Sequence, residues 1–155
     1  MRDSIVRNFI YESNRIESII RIPSMDEINE FRRFIVRENV SIGDLTNFVS
    51  IYQPGAVLRL LDNQNVRIGN HIPPPGGSNI GYALEELLEK VNNERISPFE
   101  AHCAYEALHP FTDGNGRSGR MLWAWQMNMD HGENGLELGF LHRFYYQALD
   151  NFDNI

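Results

Sequence analysis

The sequence predicts a mainly α-helical protein of one domain with a single β-hairpin, and three observations lead to this prediction. Apolar residues recur at helical spacing over most of the chain, as at Leu84, Leu87, Leu88 and Val91. Only residues 57–69 read as a pair of short strands. The length of 155 residues suits one domain with a substantial apolar core, and we find neither a repeat nor a long linker.

Three helices are expected before the hairpin. Ile5 and Ile16 lie on an apolar stripe of the first helix, which must end before Pro23 because proline disfavours helical geometry in the residue before it. Residues 25–36 and 43–52 are the second and third helical candidates.

The hairpin is expected within residues 57–72. Residues 57–61 and 66–69 have strand character and flank the polar turn 62–65. The three consecutive prolines at 73–75 lack amide hydrogens, so strand pairing has to stop before them.

A fourth helix is expected over residues 78–92, and a strong start signal for the fifth follows it. Ser97 is suited to the N-cap, Pro98 to the first helical position, and Glu100 to closing a capping box. This helix should run to about Leu108.

The next helix is expected to begin near Asn115, with Met121, Leu122, Trp125 and Met129 on one face. It completes a helix–loop–helix core over residues 97–130. A last helix is predicted over residues 137–149, after a polar loop.

Composition excludes several classes of function. The formal charge of −7 argues against a nucleic acid or an anionic membrane as the partner, since both reward clustered Lys and Arg. No apolar run approaches the length of a membrane span. Cys103 is the only cysteine, which favours a reducing compartment, so we expect a cytoplasmic protein.

The stretch ALHPFTDGNGRSGR, residues 107–120, holds the densest set of reactive side chains. Its glycines spell G-x-G-x-x-G, but a dinucleotide-binding fold would need a strand before them, and here a capped helix precedes them. A P-loop is excluded because no Lys-Ser/Thr pair follows the glycines.

A phosphate site explains the same stretch better. Gly114 and Gly116 allow a tight turn at a helix N-terminus, where free amides bind phosphate. Arg117 and Arg120, three residues apart, can grip further phosphate oxygens, and Asp113 can hold the magnesium that phosphates bring.

His109 ends the preceding helix and can act as a general base beside these phosphates. Each of these residues taken alone has a more ordinary explanation: a structural histidine, a common turn or a solvated arginine face. Their combination, in this order and between two helices, favours a triphosphate site with a base.

The motif HPFTDGNGRSGR resembles the signature of the Fic family, H-P-F-x-D/E-G-N-G-R-x-x-R, and fills every specified position. Residues 57–72 resemble the family's flap, and residues 143–149 resemble its closing helix. The loop at 130–135 has no counterpart that we can assign. The resemblance implies a helical Fic-type domain.

The resemblance also implies transfer of AMP from ATP to a protein hydroxyl. His109 would then deprotonate a Ser, Thr or Tyr hydroxyl, and Asp113 would hold Mg²⁺. Asn115 and the amides around Gly114 and Gly116 would stabilise the α-phosphate, while Arg117 and Arg120 would orient the β- and γ-phosphates. The presence of the second arginine favours nucleotidyl transfer over kinase-like transfer.

The expected partners are ATP and a protein substrate, including self-modification. Val66, Arg67, Ile68 and Gly69 of the flap are expected to pair with the main chain of the target. Three alternatives stay open: removal of AMP from a modified protein, use of another nucleotide such as UTP, and an ATP-binding module without turnover.

The N-terminal segment resembles a second family feature, the inhibitory helix S/T-x-x-x-E-G/N. Within residues 1–22, Ser13 and Glu17 fit this pattern and Ser18 departs from it at the last position. At i and i+4, Ser13 and Glu17 share one helix face. We therefore expect Glu17 to pair with Arg120 and to restrain the enzyme.

Overall fold

The computed structural model describes residues 1–136 of the chain, and the helix predicted at 137–149 lies outside this part. Helices dominate the described residues and confirm the predicted fold class. Their bounds are α1 Asp3–Ile16, α2 Met25–Ile35, α3 Ile42–Tyr52, α4 Ser78–Asn92, α5 Pro98–Leu108 and α6 Asn115–His131, followed by a short 3₁₀ helix, Gly132–Leu136.

Side-chain caps explain where three of these helices begin. Ser24 and Ser41 each form a reciprocal capping box with the residue three positions later, at the start of α2 and α3. At α5, the Ser97 hydroxyl accepts a hydrogen bond from the Glu100 amide at 3.2 Å, and Pro98 takes the first helical position as predicted.

Helix α6 is the central element of the fold. It packs against α1, α2, α3 and α5. Every residue from 117 to 126 is buried, so the helix is enclosed on all sides along this stretch, and Arg117 and Arg120 lie inside the protein rather than on a solvated face. The prediction of one buried face is wrong in detail, since Met129, expected on that face, is 56% exposed.

The predicted pairing of residues 57–61 with residues 66–69 is not observed. Leu58 instead forms an antiparallel bridge with Phe111, inside the stretch 107–120. Ile68 bridges His71 across a two-residue turn that contains Gly69, with N–O distances of 3.0 and 2.8 Å. Residues 57–61 and 66–69 thus contribute isolated bridges rather than strands, because the strand character of a segment does not specify which backbone it pairs with.

None of the helices described in residues 1–136 combines the length and the apolar character that a membrane span requires.

Candidate active site

His109 ends helix α5 in a left-handed backbone conformation, with φ 49° and ψ 63°. Its amide donates to the Tyr105 carbonyl at 2.9 Å and closes the helix. The ring atom Nδ1 lies 3.3 Å from the Glu106 carbonyl oxygen. A carbonyl can only accept, so this contact places the proton on Nδ1 and leaves the Nε2 lone pair to accept a proton from a substrate.

The half-buried position of His109 lowers the pKa of its imidazole to about 4, chiefly through burial. The Glu106 carbonyl and the Glu17 carboxylate act in the opposite direction, and Arg59 and His71 add to the lowering. His109 is therefore neutral at physiological pH, which is the state that a general base requires.

The turn after Pro110 is held by Asn115, the first residue of α6. Its Oδ1 accepts from the Phe111 amide at 2.8 Å, and its Nδ2 donates to the Phe111 carbonyl at 2.9 Å. Gly114 makes the turn possible because it takes φ 77° at the N-cap. The buried Asn115 side chain thus holds the loop closed through the backbone of Phe111. Its expected contact with the α-phosphate stays a prediction, and the second Nδ2 hydrogen would have to make it.

Asp113 is exposed at the start of the same turn, and its Oδ1 accepts from the Gly114 amide at 2.8 Å. Residues 1–136 contain no cluster of three or more His, Cys, Asp or Glu side chains of the kind that encloses a metal. A single carboxylate nevertheless fits magnesium that arrives with a nucleotide, because Mg²⁺ takes one or two carboxylates together with phosphate oxygens.

Arg117 is 3% exposed and does not extend freely into solvent. It donates to the Tyr52 carbonyl at 2.7 Å and to the Gln53 side chain, both at the end of α3. Its charge lies at a helix C-terminus, where the helix dipole favours a cation. The structure therefore revises the expected role: Arg117 borders the cleft but its guanidinium is anchored to α3, and a phosphate contact stays a prediction.

Arg120 is almost fully buried and is held by α1. Its Nε donates to Ser13 Oγ at 2.8 Å, and its Nη2 donates to the Ser13 carbonyl and to Glu17 Oε1, each at 2.9 Å. A Cβ at position 116 would overlap Glu17 Oε1, so Gly116 is what lets the carboxylate approach the motif. The expected pairing of Glu17 with Arg120 is present, and Ser13, which was expected only to share the helix face of Glu17, also contacts Arg120.

Glu27 on α2 holds the end of α1 in this position. Its buried carboxylate accepts from Asn14 Nδ2 at 2.9 Å and from Arg21 Nη1 at 2.5 Å, on either side of Glu17 in sequence. Burial opposes ionisation of Glu27, but the hydrogen bonds from Arg21, Ser24 and Asn14 leave its pKa below the usual value. The charged carboxylate is thus favoured as the acceptor of these hydrogen bonds.

Two residues of the site, Glu106 and Arg59, were not predicted from the sequence. Glu106 Oε1 has no hydrogen-bond partner in residues 1–136, and burial raises the pKa of its carboxyl to about 8 despite the nearby Arg120. Arg59 is completely buried and donates to the His109 carbonyl at 2.6 Å, at the start of the catalytic loop, residues 109–114 between α5 and α6. The sequence does contain a signal for both residues. Glu106 and Arg59 are each a charged residue within a short, mostly apolar segment, 103–108 and 57–61.

Most of the motif residues border one cleft of about 450 Å³, whereas Arg59, Arg120 and Ser13 are not part of its lining. Its lining includes Glu17, Arg67, Ile68, His109, Asp113 and Arg117. Arg67 and Ile68 thus bring the flap to the base, as expected, while Val66 and Gly69 lie beside them outside the lining. A second cleft, about 480 Å³, lies at Trp125 and Gln126 and is lined by none of the motif residues.

Comparisons with known proteins agree with this geometry. The Fic/DOC family model matches residues 26–127. The protein adenylyltransferase Fic of Drosophila erecta is 36% identical over 64 residues, which are 37% of this chain and 13% of that protein.

Two solved structures share the fold. A Fic family protein from Desulfovibrio desulfuricans aligns over 97% of this chain and 54% of its own, with a TM-score of 0.54 and 20% identity. Fic-1 from C. elegans aligns over 98% of this chain and 57% of its own, with a TM-score of 0.55 and 22% identity. This chain therefore spans little more than half the length of these structures. The match to the family model covers the catalytic motif and most of the helical core, and the chain belongs to the Fic/DOC family.

Proposed function

We propose that this chain is a protein adenylyltransferase, which transfers AMP from ATP to a Ser, Thr or Tyr hydroxyl of a protein, and that Glu17 restrains it. One observation carries the proposal: a neutral histidine, an exposed carboxylate and the N-terminus of α6 border the same cleft. The similarity to a relative named as a protein adenylyltransferase supports the same reaction.

In the proposed reaction, His109 Nε2 accepts the proton of the target hydroxyl. The hydroxyl oxygen forms a bond to the α-phosphorus of ATP, and the bond from that phosphorus to the oxygen bridging to the β-phosphate breaks. AMP stays on the protein and pyrophosphate leaves. His109 suits this step because it is already neutral, so no proton has to be lost before the attack.

The N-terminus of α6 would supply the charge stabilisation. The amides of its first residues, following Gly114, have no partner within the helix and attract a phosphate. They are fixed in place by the Asn115 clasp before any nucleotide arrives, and fixed donors stabilise developing charge without reorganisation.

Asp113 would hold Mg²⁺, which when bound offsets phosphate charge. Its exposure at the edge of the cleft allows the ion to enter together with ATP.

The restraint follows from competition for Arg120. The Glu17 carboxylate takes the Nη2 donor that a phosphate oxygen would need, and it brings negative charge toward the nucleotide site. We propose that ATP can still enter but that its terminal phosphates are turned away from the orientation required for in-line attack. The enzyme with Glu17 in place should therefore be slow.

The position of the label decides the reaction class. Glu17→Gly protein would be incubated with magnesium and ATP carrying label either at the α- or at the γ-phosphate. Transfer of AMP predicts protein labelled only from the α-position, with labelled pyrophosphate released from the γ-position. Label entering from the γ-phosphate would show phosphoryl transfer and overturn the proposal.

Two further arms separate the remaining alternatives. UTP labelled at the α-phosphate tests the use of another nucleotide. Incubation of a previously AMP-modified protein with the enzyme, without ATP, tests removal of AMP. If nucleotide binds but no arm changes the label on protein, the chain is a binding module without turnover.

A further inference from the structure

We propose that Arg59 is a positioning residue that ties the flap to the catalytic loop and so fixes where a target hydroxyl meets His109. This inference rests on the proposed transfer reaction. Its starting observation is that Arg59 is 0% exposed and donates to four backbone carbonyls, those of His109, Leu108, Gln64 and Pro74.

The environment of Arg59 is unusual for a buried cation. Its pKa is lowered by burial alone, and no carboxylate of residues 1–136 contributes to it. A buried charge without an acidic partner is expensive unless hydrogen bonds surround it. Here four carbonyl dipoles replace the anion. An apolar side chain of similar size would avoid the desolvation, so the arginine is best explained by the geometry that it enforces.

Two of the four carbonyls lie where α5 passes into the catalytic loop, at Leu108 and His109. Arg59 Nε donates to the His109 carbonyl at 2.6 Å, and Nη2 donates to the Leu108 carbonyl at 2.9 Å. Both carbonyls lie at the C-terminus of α5, where the helix leaves them without helical partners and where a cation is favoured. His109 has a left-handed backbone that is unfavourable for a residue with a Cβ. Arg59 thus holds the peptide that follows His109 in this conformation.

The other two carbonyls belong to Gln64, inside the flap, and to Pro74, just after it. Arg59 Nη1 donates to the Gln64 carbonyl at 3.0 Å and to the Pro74 carbonyl at 2.9 Å, before and after the turn at Ile68. The backbone of Arg59 extends the same connection, because its amide donates to the Pro110 carbonyl at 2.9 Å. One guanidinium therefore joins the chain on both sides of the Ile68 turn to the loop that carries the base.

The contacts of Arg59 fix the distance between the flap and His109. A target segment that docks on the flap presents its hydroxyl to His109 only if the flap and the loop keep a fixed separation. Misplacement by about 1 Å can reduce a rate about 100-fold. The planar five-donor fork of arginine can serve four carbonyls in a fixed geometry, whereas the compact ammonium of lysine cannot.

The test uses Arg59→Lys and Arg59→Met in the Glu17→Gly protein, with Arg95→Gln as a matched control on an exposed arginine between α4 and α5. ATP affinity and the rate of AMP transfer are measured for each. We expect ATP affinity within about twofold of the parent and transfer slower by about 100-fold in both variants. Parental transfer rates in both would overturn the proposal, as would a loss of ATP binding equal to the loss of transfer.

A second measurement does not depend on activity. Trypsin can cleave after the exposed Arg67 of the flap, and after Arg33 within α2 only when that helix opens. If the Arg59 hydrogen bonds hold the flap, the Arg59 variants should be cleaved faster after Arg67 and at an unchanged rate after Arg33. Equal acceleration at both sites would mean general destabilisation, and unchanged cleavage at Arg67 would mean that Arg59 does not hold the flap. If the parent transfers no AMP, the proposed function fails while this measurement still decides the role of Arg59.

Discussion

The carboxylate of Glu17 accepts a hydrogen bond from Arg120 Nη2 at 2.9 Å, across 103 positions of sequence. The arginine is buried and the glutamate is 38% exposed, so one partner is fixed and the other can leave. Removing Glu17 leaves Arg120 in place, because Ser13 still accepts from its Nε and Nη2, but it frees one Nη2 hydrogen for a phosphate oxygen. The Glu17 carboxylate can therefore leave, while the Arg120 guanidinium stays in its position.

Ser18 lies directly after Glu17, the C-cap of α1, and its backbone conformation explains why the inhibitory-helix pattern has Gly or Asn at this position. It has φ 63°, its amide donates to the Arg15 carbonyl, and the next amide, of Ile19, donates to the Asn14 carbonyl. These bonds form a Schellman motif, whose left-handed residue is usually Gly and sometimes Asn. The resembling family pattern has Gly or Asn at this position, and the serine here takes the same conformation at a cost in stability.

We predict that Ser18→Gly stabilises the protein by about 1 kcal/mol, because glycine adopts positive φ without a Cβ clash. A better-held helix end should also lower basal AMP transfer. Urea unfolding and labelled AMP incorporation measure the two effects. Ser18→Val is the matched control and should be destabilised, since a β-branched residue is strained at positive φ. A glycine variant no more stable than wild type would contradict the capping interpretation.

Glu106 predicts an unusual pH dependence of stability. Its pKa of about 8 in the folded protein lies above the usual value of 4.5, so between these pH values the folded state holds a proton that the unfolded state has lost. The free energy of unfolding must then fall as pH rises through this interval, by at most about 1.4 kcal/mol per pH unit. Glu106→Gln carries no titrating proton and should escape this loss.

The melting temperatures of wild type and Glu106→Gln, measured from pH 5 to pH 8, should therefore diverge in favour of the variant as pH rises. Glu85→Gln, on the exposed face of α4, controls for the loss of a carboxylate in general. A constant difference across this pH range would show that Glu106 is ionised in the folded protein.

How far the sequence predicts this structure depends on the range of the interaction. Ser97 and Pro98 predicted the start of α5 correctly, because the residues that form a helix cap lie within one helical turn of each other. The partner of Leu58 was missed, because it is Phe111, which no local pattern identifies. Arg59 was missed for the same reason: three of its four carbonyl partners, those of Pro74, Leu108 and His109, lie 15 to 50 positions away in sequence.

Within the site, the motif specified which residues gather but not what each side chain contacts. Asn115 and Arg117 were expected to bind phosphate, whereas the structure engages them with Phe111, Tyr52 and Gln53. Residues of a motif can serve the geometry of the loop as well as the chemistry of the site. Only the folded structure shows which of these two roles a given side chain has.

Asp113→Asn should weaken binding of ATP in the presence of magnesium and leave binding without magnesium nearly unchanged, because the substitution removes the charge that attracts the ion. Nucleotide titrations at several magnesium concentrations measure this. Asp26→Asn, an exposed aspartate at the start of α2, is the control. If the dependence on magnesium were the same in Asp113→Asn as in wild type, Asp113 would not be the metal ligand.

The flap edge makes a prediction about Arg67. The amide and carbonyl of Ile68 are already engaged with His71, so we expect the Arg67 amide rather than the Ile68 amide to pair with a target. Arg67→Pro removes the neighbouring amide hydrogen and should slow AMP transfer to lysate proteins more than it weakens ATP binding. Arg67→Ala removes the side chain but keeps the amide and should lose less. Equal losses in both variants would assign the effect to the side chain.

The most direct measurement compares AMP incorporation from α-labelled ATP by wild type, Glu17→Gly and Glu17→Gly/His109→Ala. We predict slow transfer by wild type, strong acceleration in Glu17→Gly, visible as self-modification, and a loss of at least about 100-fold when His109 is also removed. ATP affinity should be nearly equal in the last two proteins, because His109 serves the hydroxyl rather than the nucleotide. A Glu17→Gly protein no faster than wild type would contradict the restraint by Glu17, and transfer that persists without His109 would contradict its role as the base.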